Sequence, residues 1–179
     1  MIVAIAGVGG VGKTTLAKIL SKKLGWRLIR PNELAKKKKL YLGYDKKRKS
    51  WIVDLQKLKK EMGKIERREK NLVVESLYAH FFRADVVAVL RCKPSVLERR
   101  LKKKYDWPTK IAENREAEVM GIITQEAVEI HGAKKVFEFD TTRTPAEKTA
   151  RQMVQVIRRK GGWRNYRVGR VDWLKDAAD

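Results

Sequence analysis

Cysteine and histidine are scarce in this chain of 179 residues: Cys92 is the single cysteine, and His80 and His131 are the two histidines. A lone cysteine forms no intramolecular disulfide, and two distant histidines do not have the spacing of a zinc site. The composition therefore excludes small domains held together by disulfides or zinc. It fits a reducing compartment, so we expect a cytoplasmic protein.

Long hydrophobic runs are also missing. The N-terminal run Met1-Ile2-Val3-Ala4-Ile5-Ala6 is too short to cross a membrane, has no basic segment before it and leads directly into a glycine-rich stretch. It predicts a buried strand rather than a signal peptide, and we expect no membrane partner.

Acidic residues are few: 21 Asp+Glu stand against 43 Lys+Arg, which gives a formal net charge of +22. Hydrophobic residues still make up 43 % of the chain, so it has the apolar content of a folded protein rather than of a disordered polycation. The charge predicts an anionic partner, which could be a nucleotide, a nucleic acid or membrane phosphate.

Short apolar runs alternate with longer segments of helical periodicity, which predicts a doubly wound α/β fold with its ligand site at the carboxyl ends of parallel strands. The expected strands are 2–6, 26–29, 72–75, 86–90 and 136–139, and the expected helices are 13–24, 54–68, 94–104, 109–130 and 145–159. Gly161-Gly162 is expected to end the last helix, leaving residues 163–179 with no evident place in the sheet.

A phosphate-binding loop is the strongest motif. Gly7-Val8-Gly9-Gly10-Val11-Gly12-Lys13-Thr14-Thr15 follows the first strand and matches the Walker A pattern. Gly7, Gly10 and Gly12 let successive N–H groups face one anion at a helix N-terminus. Lys13 is expected to neutralise the β and γ phosphates of ATP, Thr14 to coordinate Mg²⁺, and Thr15 to lie near the α-phosphate.

A carboxylate that serves the same site is expected at the end of the third predicted strand. Glu75 has the position of a Walker B acid that holds Mg²⁺ or orients water, although a structural pairing with a lysine would also explain it. His80 follows five residues later and could reach the same cleft, or it could be a packing residue. Asp140 could line the pocket or cap the helix near Pro145.

Several stretches together resemble the adenylate kinase isoenzyme 6 family, which includes archaeal adenylate kinases and the eukaryotic coilin-interacting nuclear ATPase. The resemblance covers residues 1 to about 159 and rests on the Walker A loop, Leu40-Tyr41-Leu42-Gly43-Tyr44-Asp45, Ile52-Val53-Asp54, Val73-Val74-Glu75-Ser76, Leu90-Arg91 and the stretch Lys110-Ile111-Ala112-Glu113-Asn114-Arg115-Glu116-Ala117-Glu118.

This resemblance implies a P-loop nucleoside monophosphate kinase fold, with a kinase domain over residues 1–160, a nucleoside monophosphate (NMP) arm near 30–53, a short LID near 102–112 and a basic tail over 161–179. It implies adenylate kinase and ATPase activity, with AMP as acceptor, and a role in maturing the small ribosomal subunit. The implied partners are a ribosomal protein of the S11 type and rRNA.

Two positions depart from the family pattern. The family usually has a histidine two residues after the Walker B acid, where this chain has Leu77. Its LID usually carries Arg-Gly-Tyr, where this chain has Lys103-Lys104-Tyr105, so Lys103 is the expected phosphate ligand of the LID. Lysine keeps the charge but loses the planar fork of arginine, so we expect slow turnover unless Arg99 or Arg100 substitutes.

The surplus charge is concentrated in two segments. Residues 27–70 contain 17 basic and 6 acidic residues, half of the net charge, with Tyr41 and Tyr44 between lysine runs. Residues 158–170 contain six basic residues, two aromatics and no acid. Both segments are typical of RNA contacts, and the alternatives are a solvated lysine-rich surface for the first and a helix packing Trp163 and Trp173 on the core for the second.

The leading interpretation is an ATP-dependent NMP kinase and ATPase that serves small-subunit assembly. Three alternatives stay open at this point. The protein could be a purely metabolic adenylate kinase, a nucleotide-gated RNA-binding or ribosomal-protein-binding chaperone with little kinase activity, or a kinase of RNA 5′ ends.

Overall fold

The computed structural model describes residues 1–46, 48 and 50–174. In this part of the chain the strands are β1 (Ile2–Ala6), β2 (Arg27–Ile29), β3 (Tyr41–Asp45), β4 (Ser50–Val53), β5 (Leu72–Glu75), β6 (Val86–Arg91) and β7 (Val136–Asp140). The helices are α1 (Lys13–Leu24), α2 (Pro31–Lys38), α3 (Leu55–Arg68), α4 (Pro94–Lys102), α5 (Pro108–Val119), α6 (Ile122–His131) and α7 (Ala146–Ile157).

Five parallel strands form a central sheet in the order β2-β5-β1-β6-β7, flanked by helices. Strands β1, β5 and β6 are buried along their whole length, which explains their nearly continuous apolar sequences. This arrangement confirms the predicted α/β fold. Because β1 pairs with β5 on one side and β6 on the other, the loop that leaves β1 lies where the sheet order reverses, the usual ligand position of such folds.

The arm predicted for residues 30–53 consists of helix α2 and an antiparallel β3-β4 hairpin that forms its own two-stranded sheet. Pro31 occupies the first turn of α2, where its missing N–H costs nothing. Asp54 then caps α3 by accepting a hydrogen bond from the Lys57 N–H at 3.0 Å. Lys47 and Lys49, two lysines of the basic segment 27–70, lie outside the described residues.

One predicted helix, residues 109–130, was wrong as a single element. The chain divides it into α5 and α6 at Gly121, which adopts a left-handed backbone with φ of 63°. The Gly121 N–H closes the end of α5 by donating to the Glu118 carbonyl at 3.2 Å. A periodic apolar pattern continues across such a break, so the sequence pattern did not show it.

The end of the last helix was also predicted wrongly. Helix α7 ends at Ile157, and the left-handed position after it is taken by Arg159 (φ 51°) rather than by one of the two glycines that follow. The segment after it does have a place. Its 3₁₀ turn, Trp163–Tyr166, packs beside the edge strand β7, with the Tyr166 ring stacked on Phe139 at 5.0 Å.

Two further contacts fix the tail: the Gly169 N–H donates to Glu138 at 2.9 Å, and the Trp173 indole N–H donates to Glu118 at 3.1 Å. The tail therefore packs Trp163 and Trp173 onto the body of the protein, mostly in irregular structure rather than as a helix. The division into a domain over 1–160 and a tail over 161–179 stays a prediction, and residues 175–179 of that tail lie outside the described part.

Candidate active site

The glycine-rich loop after β1 packs so closely that a side chain at Gly7 or Gly10 would collide with its surroundings. A Cβ at Gly7 would lie 2.6 Å from the Leu90 carbonyl oxygen, and one at Gly10 would lie 2.9 Å from the Leu101 side chain. Both residues also have positive φ, 133° and 85°. The loop is therefore held against β6 and α4, and α1 begins directly after it.

Lys13 is the first residue of α1, and its ammonium lies at the loop. The Nζ atom donates to the Val8 carbonyl at 2.8 Å. Burial lowers the pKa of Lys13 to about 8, with nearby Lys104 acting in the same direction and Glu75 opposing. A cation that loses solvation in this way gains more from a phosphate partner than a fully hydrated lysine does.

Thr14 and Glu75 meet at the carboxyl end of β5, as the sequence predicted. The Thr14 hydroxyl donates to Glu75 Oε1 at 3.4 Å, and the Glu75 side chain is buried. Magnesium prefers such hard oxygen ligands and usually takes only one or two from protein, completing its shell with water and phosphate oxygens. The two residues therefore fit Mg²⁺ held together with a nucleotide.

A cavity of about 600 Å³ opens over these groups. Gly10, Gly12, Lys13, Thr14 and Thr15 line one side, and Glu75 and Leu77 line the end of β5. Asn32 of the arm, Arg100 of α4 and four residues beyond α4 also line it: Lys104, Tyr105, Lys110 and Asn114. A pocket of this size, with a phosphate-binding loop on one wall, matches the dimensions of a small-ligand site.

The segment predicted to form the LID contributes differently from the prediction. Lys103 is exposed and is not among the residues that line the cavity, whereas its neighbour Lys104 is. Lys110 also faces the cavity, with its Nζ 4.4 Å from the centre of the Tyr105 ring. Because the chain between α4 and α5 is only a few residues long, its turn decides which lysine points inward, and sequence spacing does not encode that.

His80 is not brought into the cleft. Its side chain is fully buried, its Nε2 pairs with Glu126 of α6 at 2.9 Å, and its backbone carbonyl accepts from the His131 ring. Burial lowers the pKa of His80, partly opposed by Glu126. The structure thus places this histidine between two elements of the fold, and we leave it out of the proposed catalytic set.

Two residues for which the sequence predicted no definite role line the cleft. Arg100, one of the two arginines considered as a substitute in the LID, lines the cavity and donates to the carbonyls of Thr141 (2.9 Å) and Thr142 (3.0 Å). Asn114 of α5 accepts the Gly9 N–H at 2.8 Å and so ties α5 to the phosphate loop. Asp140 supports the turn after β7, accepting from the Thr142 N–H at 2.8 Å.

Behind the cleft, α5 is anchored by a buried ion network. Arg91 at the end of β6 donates to Glu118 (2.8 Å) and to Glu138 of β7, and all three side chains are at most 4 % exposed. Glu118 also accepts the Cys92 N–H at 3.0 Å. Burial raises the pKa of Glu118, against the lowering effect of Arg91. Arg91 of the motif Leu90-Arg91 therefore has a structural role.

A pH dependence follows from the lowered pKa of Lys13. Only its charged form attracts phosphate, so ATP affinity should fall as the pH rises through about 8. Between pH 7.5 and 9.5 we expect more than about a tenfold rise in the Kd for ATP, measured by isothermal titration calorimetry. The Lys13→Arg variant, whose charge does not titrate in this range, should lack that rise, and an equal rise in both proteins would contradict the assignment.

Comparison with solved structures defines the class. The chain superposes on a shikimate kinase from Acinetobacter baumannii with a TM-score of 0.61, at 15 % identity and covering 88 % of this chain and 93 % of that one. It superposes on a deoxyadenosine kinase from M. mycoides with a TM-score of 0.58, at 15 % identity and covering 89 % and 100 %. Together with the loop geometry, these similarities define a P-loop kinase fold.

Sequence comparison identifies the family. The chain is 35 % identical over 179 residues to the "Putative adenylate kinase" of Methanocaldococcus jannaschii, covering 100 % of this chain and 96 % of that protein. A protein of the same description from Thermococcus kodakarensis is 36 % identical, with 97 % and 93 % covered. Residues 3–121 also match the family model described as an AAA domain. The chain therefore belongs to the same family as these two proteins and to the AAA domain family whose model it matches over more than half of its length. Within the described residues, every helix is too short or too polar to span a bilayer.

Proposed function

We propose that this protein is an ATP-dependent nucleoside monophosphate kinase with AMP as its acceptor, that it also hydrolyses ATP, and that it acts in small-subunit rRNA maturation in the cytoplasm. The position of Glu75, at the end of β5, beside Lys13 and Thr14 of the phosphate loop carries the first part of the proposal. The names of the archaeal relatives support the choice of AMP.

The donor side of the proposed reaction lies on the phosphate loop. Its N–H groups and Lys13 would hold the β and γ phosphates, while Lys104, Lys110 and Arg100 surround the same cavity with positive charge. Thr14 and Glu75 would hold Mg²⁺, which neutralises phosphate charge when bound. Phosphoryl transfer depends mostly on positioning and charge, and these residues supply both.

The acceptor side is expected where the arm meets the end of β5. Asn32 of α2 lines the cavity there and accepts from the Ser76 hydroxyl at 2.9 Å. Arg30, just before α2, lies 3.8 Å from Glu75, and its buried Nε has no hydrogen-bond partner in the described residues. An unpaired buried N–H is costly, and the phosphate of a monophosphate acceptor would satisfy it.

The cations at the proposed LID favour slow turnover. Among the cavity-lining residues, the LID contributes lysines, and the guanidinium of Arg100 already donates to two backbone carbonyls. A free arginine at such a position can contribute about 10³-fold or more to phosphoryl transfer. ATP hydrolysis with little transfer to AMP, as in a nucleotide-gated assembly factor, is therefore the second candidate function.

The role with RNA is proposed on the distribution of charge and aromatic surface. The β3-β4 hairpin exposes Tyr44 (48 %), Trp51 (58 %) and Ile52 (47 %) beside the lysines of α2. The Tyr41 and Trp51 rings stack at 5.1 Å. One AMP molecule is too small to contact this many cations and aromatic rings. Single-stranded RNA can contact both, because its phosphates pair with cations and its bases stack on aromatic rings.

The proposal is tested by measuring ATP hydrolysis and phosphate transfer to AMP, CMP, GMP and UMP, with and without small-subunit rRNA fragments and the S11-type protein. We expect transfer to AMP above the other acceptors and hydrolysis stimulated by the assembly partners. Rapid AMP phosphorylation that ignores both partners would indicate a metabolic adenylate kinase. Transfer to an RNA 5′ hydroxyl instead would overturn the acceptor assignment.

A further inference from the structure

Three arginines of the tail surround one indole ring. The guanidinium carbons of Arg159, Arg164 and Arg167 lie 4.3, 5.0 and 5.1 Å from the centre of the Trp163 ring. We call Trp163 with these three residues the arginine fan. All three arginines are exposed, while Trp163 is half-buried against the core. Cation–π contacts hold each guanidinium in place without taking any of its N–H donors.

The fan is fixed by the body of the protein. Trp163 makes an edge contact with the buried ring of Phe137 at 6.0 Å, and Arg159 lies 5.6 Å from the same ring. Arg167 forms a β-bridge with Phe137 on the edge strand β7. The three positive charges are therefore held at one place on the surface rather than spread by side-chain freedom.

Arg159 also adopts an unfavourable backbone conformation. Its φ of 51° is one of two positive values at non-glycine residues in the described chain, and a non-glycine residue there costs about 1 kcal/mol. Gly161 and Gly162 stand two and three residues further on and do not take this position. Backbone strain of this kind is concentrated at functional sites, and here it directs a guanidinium onto the two rings.

The fan is electrostatically unpaired. Within the described residues, no ion pair and no side-chain hydrogen bond holds any of its three guanidiniums. The basic surface of the arm differs, because several of its cations pair with acids, as Lys38 does with Glu61 at 2.5 Å. The sequence adds Arg158, Lys160 and Arg170 close by and no acidic residue between 158 and 170. A solvated surface would not need three guanidiniums placed together.

We infer that the arginine fan is a binding site for the phosphate backbone of RNA, separate from the nucleotide cleft. Its residues are not among those that line the cleft. Arginine forks match phosphate oxygens in pairs, and three of them around one ring suit successive phosphates better than a single phosphate group. The choice of RNA as the polyanion rests on the proposed function.

The test is RNA binding by the triple variant Arg159→Gln, Arg164→Gln, Arg167→Gln, measured by fluorescence anisotropy with a labelled single-stranded 20-mer over a range of salt. Each lost phosphate contact should lower the log-log salt slope by about 0.7, so the slope should fall by about 2 and affinity by roughly 10- to 50-fold near 0.15 M salt. The control variant Lys18→Gln, Lys22→Gln, Lys134→Gln removes the same charge elsewhere and should leave the slope almost unchanged.

A second variant set separates binding from packing. Replacing the same three arginines with lysine keeps the charge, so the salt slope should persist while affinity falls only a few-fold. If glutamine and control variants lose affinity equally, or if the glutamine variant keeps its slope, the inference fails. Binding to anionic phospholipid vesicles without binding to RNA would also overturn it.

The outcome is independent of the kinase assignment. The glutamine variant should retain the ATP turnover of the unmodified protein in the absence of RNA. Normal turnover with fan-independent RNA binding would refute the fan alone. Fan-dependent RNA binding without any ATP turnover would instead refute the proposed kinase.

Discussion

Replacing Lys13 with alanine is expected to lower ATP turnover by at least about 10²- to 10³-fold while the fold persists. The reason is that Lys13, the first residue of α1, is the one cation within the phosphate loop. Its ammonium donates to the Val8 carbonyl at 2.8 Å and is held there. The charge on the transferred phosphate depends strongly on such a fixed cation.

The variant should stay folded, because Lys13 is charged and sits in a cavity that is open to solvent, so its truncation leaves no buried apolar void. Steady-state kinetics with a coupled assay measures the effect, and circular dichroism checks the fold. Lys22→Ala, in the exposed last turn of the same helix, is the matched control and should keep full activity. Equal activity of the two variants would show that the loop does not carry the chemistry.

Replacing Arg91 with methionine is expected to destabilise the protein by about 3–5 kcal/mol. Arg91 is the only cation that the structure places against the buried carboxylates Glu118 and Glu138, counting the described residues. Removing one partner of a buried ion network leaves uncompensated charge, which costs more than the network itself contributes. The unfolding midpoint in urea measures the loss, with exposed Arg143→Met as the control.

The pH dependence of this loss has a definite sign. Burial raises the pKa of Glu118 and Arg91 opposes that rise, so without Arg91 the pKa should rise further and the folded variant would bind more protons than the unfolded chain. Its deficit relative to the unmodified protein should therefore shrink as the pH falls from 7 towards 5. Adding Glu118→Gln and Glu138→Gln should recover much of the stability at pH 7. A deficit that ignores both changes would rule out electrostatics as its cause.

The ion network of Arg91 also lies between the cleft and the tail. Glu118 holds Arg91 and the Trp173 indole, and one helical turn earlier Asn114 of the same helix holds the Gly9 N–H of the phosphate loop. Helix α5 is thus fixed at the cleft by one residue and at the tail by the other. Both residues belong to the stretch Glu113-Asn114-Arg115-Glu116-Ala117-Glu118, on which the family resemblance partly rests.

Local sequence determined the parts of this protein whose geometry depends on neighbours in the chain. Nine consecutive residues specify the phosphate loop. Positions 7 and 10 need glycine, because φ is positive there and a Cβ would collide with neighbouring atoms. Glu75 could be predicted beside Thr14 because parallel strands end at one edge of a sheet. The apolar runs likewise predicted all five strands of the central sheet to within a residue or two.

Tertiary structure decided what local pattern leaves open. A lysine in a short loop faces inward or outward according to the turn, so Lys104 rather than Lys103 lines the cavity. His80 pairs with Glu126, 46 residues away, and no spacing rule anticipates that contact. The tail, which the sequence describes only as basic and aromatic, acquires its arrangement from Phe137 on the edge strand. Sequence therefore determined which charges exist, and packing over long chain separations decided which of them meet.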